Sequence, residues 1–238
     1  MGEHTKLLAA FTVLALVVSA VLIFIPLPLL PSSSAGASAL ILISLVVIGW
    51  GAKAMKMDLS HKNALFKKLG KQLGLAFSPG SAFSFPSLYG RIGNHNVKIE
   101  LKTLGKKGER FGATFLLVES SLLQPVPVDF EVRARKNSVY RESMGVKLAL
   151  QEFDSGIKTV KTNLWADASN PSKAKSMVSK ASGDLAMLFD EFEIEFFAVS
   201  AEKAFFGKRL KPGPLEASVS KKFVDNCLKA LEKSEGAL

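Results

Sequence analysis

Residues 7–52 form a stretch of 46 positions without a single Asp, Glu, Lys or Arg. Within it, residues 7–25 hold 13 Leu, Ile, Val or Phe and four Ala, and Thr12 and Ser19 are the only polar side chains. A helix of that length matches the roughly 30 Å of a bilayer's hydrocarbon. At about −0.3 to −0.6 kcal/mol for each strongly apolar residue, its insertion is favourable by about 4 to 8 kcal/mol. A core helix of a folded domain normally keeps a polar stripe, and this run has none. A cleavable signal peptide is the competing reading, since Lys6 precedes the run and Ala35-Gly36-Ala37 resembles a cleavage site.

Pro26, Pro28 and Pro31 stop the first run, and a second apolar run with Trp50 near its end occupies residues 38–54. Six lysines follow (Lys53, Lys56, Lys62, Lys67, Lys68 and Lys71) against one acid, Asp58. The positive-inside rule then places both chain ends in the cytoplasm. The expectation is a multi-pass protein of the cell membrane. A transmembrane hairpin fills residues 1–55, with spans 7–25 and 38–54. A basic juxtamembrane helix covers 56–74, its six lysines facing anionic headgroups, and a cytoplasmic α+β domain occupies 75–238, divisible at 150/151.

The fold class expected of that domain is α+β, a mainly antiparallel sheet packed with amphipathic helices. Leu88, Gly90 and Ile92 alternate with polar residues, as do Val97, Ile99 and Leu101, and Gly93-Asn94 supplies a two-residue turn. That turn sets Ile92 opposite His95 and Gly90 opposite Val97. A second hairpin is expected at 105–108, leading into a strand at 110–119. Another strand is expected at 126–136, with Asp129, Glu131, Arg133 and Arg135 on its polar side. Beyond a strand at 157–164, Asn170-Pro171 reads as the cap and first turn of a helix running to Phe189. Its inner stripe is Met177, Val178, Ala181, Leu185, Leu188 and Phe189. A strand at 192–199 alternates Glu191, Glu193 and Glu195 with Phe192, Ile194 and Phe196, and a last helix at 218–232 turns Phe223, Cys227, Leu228 and Leu231 inward.

The segment from Glu152-Phe153-Asp154 through the capped helix to the strand at 192–199 resembles a group of prokaryotic membrane-anchored proteins of unknown function. The resemblance implies an anchor joined to an α+β domain, and no particular activity.

Catalytic patterns are scarce. His4, His61 and His95 lack the close spacing of a zinc site, no P-loop or Gly-x-Ser-x-Gly elbow occurs, and no cofactor is implied. Cys227 is the only cysteine. Lys106, Lys107 and Arg110 cluster at the second hairpin tip, where they could meet a phosphate. The +10 net charge is spread over several elements without an exposed aromatic platform, which disfavours nucleic acid as a partner. The function expected is a protein-binding, sensing or scaffold module with the bilayer and a protein as partners. The alternatives are a membrane-proximal enzyme using Asp154, Asp167 or Asp184, and a weak nucleic-acid binder.

Overall fold

The computed structural model describes residues 34–81, 84–104, 113–144, 150–200, 202–211, 215–217 and 219–236. Two compact units divide the chain, Met1–His61 with Lys211–Gly213 and Lys62–Leu210 with Pro214–Leu238.

The described helix of the first unit corrects the membrane expectation. α1 (Ser34–Leu73) takes in the second expected span, residues 38–54, and does not end with it. It continues without a break through Lys53, Lys56 and Asp58 to Leu73, so the juxtamembrane helix expected at 56–74 is not a separate element. The apolar run is therefore one part of a 40-residue helix with a charged tail. Among the described residues no helix is long and apolar enough to cross a membrane. The transmembrane hairpin is not supported, and the multi-pass membrane location with a cytoplasmic domain falls with it. The first expected span, residues 7–25, lies outside the described residues.

The second unit is an α+β structure on one sheet. Its strands are β1 (Ala76–Ser78), β2 (Ser87–Ile92), β3 (His95–Leu104), β4 (Ala113–Ser121), β5 (Phe130–Arg133), β6 (Gln151–Glu152), β7 (Trp165–Ala168), β8 (Ile194–Ser200) and β9 (Lys203–Arg209). They lie in the order β1-β2-β3-β4-β9-β8-β5-β7-β6, and every pairing is antiparallel. The helices are α2 (Val139–Met144), α3 (Pro171–Lys180), α4 (Ser182–Asp190) and α5 (Lys221–Glu235), with the end of α1 from Lys62 onward.

Because side chains alternate across a strand, the sheet has two faces with different fates. Leu88, Ile99, Leu116, Val118, Phe206, Phe197, Phe130 and Val132 point to the first face. There Phe66 and Leu69 of α1, Met177 of α3, Leu185 and Leu188 of α4 and Phe223, Cys227 and Leu231 of α5 close over them. Leu104, Phe115, Leu117, Phe205, Phe196 and Ala198 point to the second face, where Tyr140 of α2 joins them. The helices over the first face are well terminated. Asn170 caps α3 by accepting from the Lys173 N–H, with Pro171 in the first turn, and Ser220 caps α5 through the Phe223 N–H. The β2–β3 register has Ile92 opposite His95 and Gly90 opposite Val97, as the Gly93-Asn94 turn dictates.

Three local expectations are corrected. The capped helix is two, broken at Ala181. The β8 alternation is interrupted by a bulge between Ile194 and Phe196, so Ile194 enters the first face and Phe196 the second. Residues 157–164 hold no strand, and two of their amides are engaged by a side chain instead of a neighbouring strand. The Asp190 carboxylate accepts from the Val160 N–H at 2.9 Å and the Lys161 N–H at 3.0 Å, and the Lys161 ammonium donates to the Asp190 carbonyl. Those backbone bonds, then the Lys161 charge, hold the Asp190 carboxyl below its usual range. Replacing Asp190 by Ala is expected to raise hydrogen exchange at the Val160 and Lys161 amides to the rate of exposed loop amides. In the unmodified chain the same loss sets in as the pH falls through the depressed Asp190 value.

Candidate functional site

The second face of the sheet carries a group of charges that its strand positions alone would not bury. Glu131 and Arg133 alternate with Phe130 and Val132 on β5, so they lie on the polar side of that strand, yet Glu131 is 1% exposed and Arg133 7%. The cover comes from two directions. On β7, Asp167 sits directly opposite Glu131. From above, α2 lowers Tyr140 and Arg141 onto the strands.

α2 forms because Ser138 supplies its cap, the side-chain oxygen accepting from the Arg141 N–H at 2.9 Å. That aims the guanidinium inward. Arg141 Nε–H donates to Glu131 Oε2 at 3.0 Å and its Nη2 donates to Asp167 Oδ2 at 2.5 Å. Arg133 Nη1 reaches the same Asp167 oxygen at 2.5 Å, while its Nε donates to the Lys136 carbonyl. Two guanidiniums and two carboxylates thus close a neutral cluster. Beyond it, Arg135 and Arg209 pair with Glu195 at 3.1 and 3.8 Å.

The cluster is incompletely satisfied. Glu131 Oε1 is buried and has no hydrogen-bond partner among the protein groups. Burial raises the Glu131 carboxyl, and the opposing pull of Ser138, Arg133 and Arg141 does not cancel it. Tyr140 is also pushed up, first by its burial and then by the Glu131 charge. Two clefts flank Glu131, each with room for about one water. Arg135, Asn137 and Glu195 line one, and Asp129, Arg141 and Ser200 the other.

Tyr140 fixes the apolar half of the site. Its ring lies 5.3 Å from that of Phe196 and 5.2 Å from that of Phe205, both tilted. Phe196 lies over Gly207, where a side-chain carbon would stand 2.1 Å from the ring.

The residues singled out in the sequence fall elsewhere. Lys53 and Lys56 are exposed on the first-unit part of α1. In the second unit Lys67, Lys68 and Lys71 are exposed, and Lys62 is half-buried with its ammonium 5.2 Å above the Phe85 ring. Lys106, Lys107 and Arg110 lie outside the described residues. The three candidate acids do not converge. Asp154 is in the open, lowered by the Gly156 N–H and then by Lys175. Asp184 binds α4 to Lys229 and Lys233 of α5, and although burial opposes its ionisation these two ammoniums hold it low. Only Asp167 belongs to the cluster above. Burial pushes the Cys227 thiol well up, leaving it a core residue. Among the described residues no three His, Cys, Asp or Glu side chains are grouped to hold a metal.

Sequence reasoning missed Tyr140 and Arg141 and placed Glu131 and Arg133 on the polar side of an alternating strand without finding what covers them. The available signal was Ser138, a capping residue immediately before Val139-Tyr140-Arg141.

Fold and site together define an α+β protein whose single antiparallel sheet is roofed by helices on one face and carries a buried charge cluster on the other. No protein-family model matches the chain, and neither does any curated protein. A solved structure similar to it is that of the mycobacterial trehalose monomycolate transport factor A, TtfA. That structure is 11% identical, the match covers 74% of this chain and 93% of that one, and the TM-score is 0.46.

Proposed function

We propose that the chain is a protein-binding module that makes its contact through the apolar stripe of α1. The observation that carries this reading is the exposure of four large apolar side chains within 13 residues of one helix. Leu45 is 61% exposed, Val46 62%, Trp50 68% and Met57 64%. Val46, Trp50 and Met57 follow one another at spacings of four and seven, which at 100° per residue gathers them within about 40° of the helix circumference. Lone exposed apolar residues are ordinary, but a contiguous stripe marks an interaction surface. Lys53 lies on the same side, between Trp50 and Met57. The partner this stripe fits is an amphipathic helix with its own apolar row and an acidic residue opposite Lys53.

A catalytic reading has less to support it, since Asp154, Asp167 and Asp184 are dispersed and each is engaged in an ion pair within the chain. The test places a photo-crosslinking residue at Val46 of the full chain in its native cells, with the same residue at Asp225 on the exposed side of α5 as control. A discrete protein adduct at Val46, absent at Asp225 and lost on Trp50→Glu, is the expected result. Adducts to lipid alone, or no adduct above the control, would remove the basis for this function.

A further inference from the structure

Where the last turn of α5 meets the sheet, two titratable side chains face each other in a buried corner. The His95 side chain, at the start of β3, is 1% exposed and that of Glu235, at the end of α5, is 7% exposed. Each has one polar atom held by the backbone. His95 Nδ1 lies 2.9 Å from the Ser121 carbonyl, and Glu235 Oε1 accepts from the Leu123 N–H at 2.6 Å. Their remaining polar atoms, His95 Nε2 and Glu235 Oε2, stand 3.6 Å apart. Glu235 Oε2 is buried and has no hydrogen-bond partner among the protein groups.

These contacts fix how many protons the corner holds. A carbonyl oxygen can only accept, so Nδ1 carries the ring proton of the neutral imidazole and Nε2 is left as a bare lone pair. Without a further proton, that lone pair would face the lone pairs of a carboxylate out of water, the least favourable arrangement of the two. One proton removes the conflict, either on Nε2 as an imidazolium beside a carboxylate or on Oε2 as a carboxylic acid beside an imidazole. A second proton would set donor against donor. Burial raises the Glu235 carboxyl from its ordinary value, and Glu232 adds to the rise. The pull of the Leu123 N–H and His95 does not cancel it, in agreement with a proton retained at this contact.

We propose that His95 and Glu235 form a binding site for a single proton, which joins α5 to the sheet and makes the stability of that joint fall as the pH rises. The joint is long-range. His95 comes from β3, Ser121 ends β4, Leu123 follows it, and Glu235 ends the helix whose Phe223, Cys227 and Leu231 cover the first face. The other charged groups at this corner have their own engagements. Glu119 and Glu202 act on Lys203, Lys233 pairs with Asp184, Lys180 donates to the Gly236 carbonyl, and Arg91 donates to the Gly93 carbonyl. Glu232, in the last turn of α5, acts on Glu235 as a like charge. In the unfolded chain the two groups titrate separately, the carboxyl near 4.5 and the imidazole at about 6.5, so above the second value they hold no proton. The folded pair still holds one there, and stability therefore falls with rising pH until the folded pair has lost it too.

Two measurements on the full chain test this. The first follows the His95 ring nitrogens and the Glu235 carboxyl carbon by NMR as the pH is raised. Nδ1 is expected to stay protonated throughout, and the two side chains to respond together at one midpoint above that of a free imidazole. Separate midpoints, near 4.5 for the carboxyl and about 6.5 for the imidazole, would overturn the proposal. The second is urea unfolding of the unmodified chain and the Glu235→Gln variant across the pH range above the free imidazole value. Glutamine offers an amide N–H to Nε2 while its oxygen still accepts from Leu123, so it supplies the donor without a titrating proton. Relative to the variant, the folding constant of the unmodified chain is expected to fall by up to about tenfold per pH unit. Curves that run parallel would also overturn the proposal. Should the variant not fold, the NMR titration decides by itself.

Discussion

Gly207→Ala is expected to lower the unfolding free energy by about 2–3 kcal/mol, a large cost for one methyl group, because the space that methyl would enter is already filled. An added side-chain carbon would lie 2.1 Å from Phe196 Cε1 and 2.2 Å from its Cζ, far inside van der Waals contact. The ring has little freedom to yield, since Phe115 stands 6.1 Å away on one side and Tyr140 5.3 Å away on another. A double-mutant cycle identifies the cause. Phe196→Ala alone should cost about 3–5 kcal/mol as a buried aromatic truncation. In that background Gly207→Ala should cost little, giving a coupling of about 1–3 kcal/mol. Urea unfolding measures all four corners, with the midpoint moving and the slope unchanged. Additive costs would show that Gly207 is required for some reason other than the ring above it.

The same region explains which parts of the fold could be read from the sequence. Local chemistry was readable where a single residue sets the geometry. Gly93-Asn94 fixes the β2–β3 register, Asn170 and Ser220 start their helices, and the inner stripes of α3 to α5 follow the helical period. Features that depend on residues far apart in the chain were not readable. Glu131 and Arg133 alternate with apolar neighbours as a half-exposed strand should, and only Arg141 and the distant Asp167 reveal that this polar side is covered. Glu195 looks like one more step in the alternation at 191–196, but the bulge at that point sends Phe196 to the opposite face from Ile194. The change from apolar run to lysine-rich stretch near Lys53 resembles a boundary between two elements, whereas the chain passes it in mid-helix, and the α1 residues that reach the core are Phe66 and Leu69.

Two neighbouring carboxylates in the cluster should respond oppositely when their charge is removed. Asp167 Oδ2 is the acceptor shared by Arg133 and Arg141, so Asp167→Ala leaves two guanidiniums facing each other in a largely buried site. The expected loss is about 3–5 kcal/mol, toward the lower end because Arg141 keeps some solvent contact. Glu131→Gln removes a charge that burial already disfavours, and the amide oxygen can still accept from Arg141. It should leave stability at neutral pH unchanged or raised. The sign of the pH dependence follows from the direction of the Glu131 shift. Its unfolded carboxyl titrates near 4.5, and burial raises the folded value above that. Between the two values the folded protein holds a proton that the unfolded chain has released, so this residue's contribution to stability falls as the pH rises through that window. Urea unfolding of the unmodified chain and the Glu131→Gln variant from pH 4 to 8 should therefore give curves that separate with rising pH, the variant above. A variant less stable than the unmodified chain by more than about 1 kcal/mol at pH 7 would mean that the Arg141 pairing outweighs desolvation. In the expected case the Glu131 charge costs the fold stability, and the Asp167 bridge between Arg133 and Arg141 is what holds the cluster together.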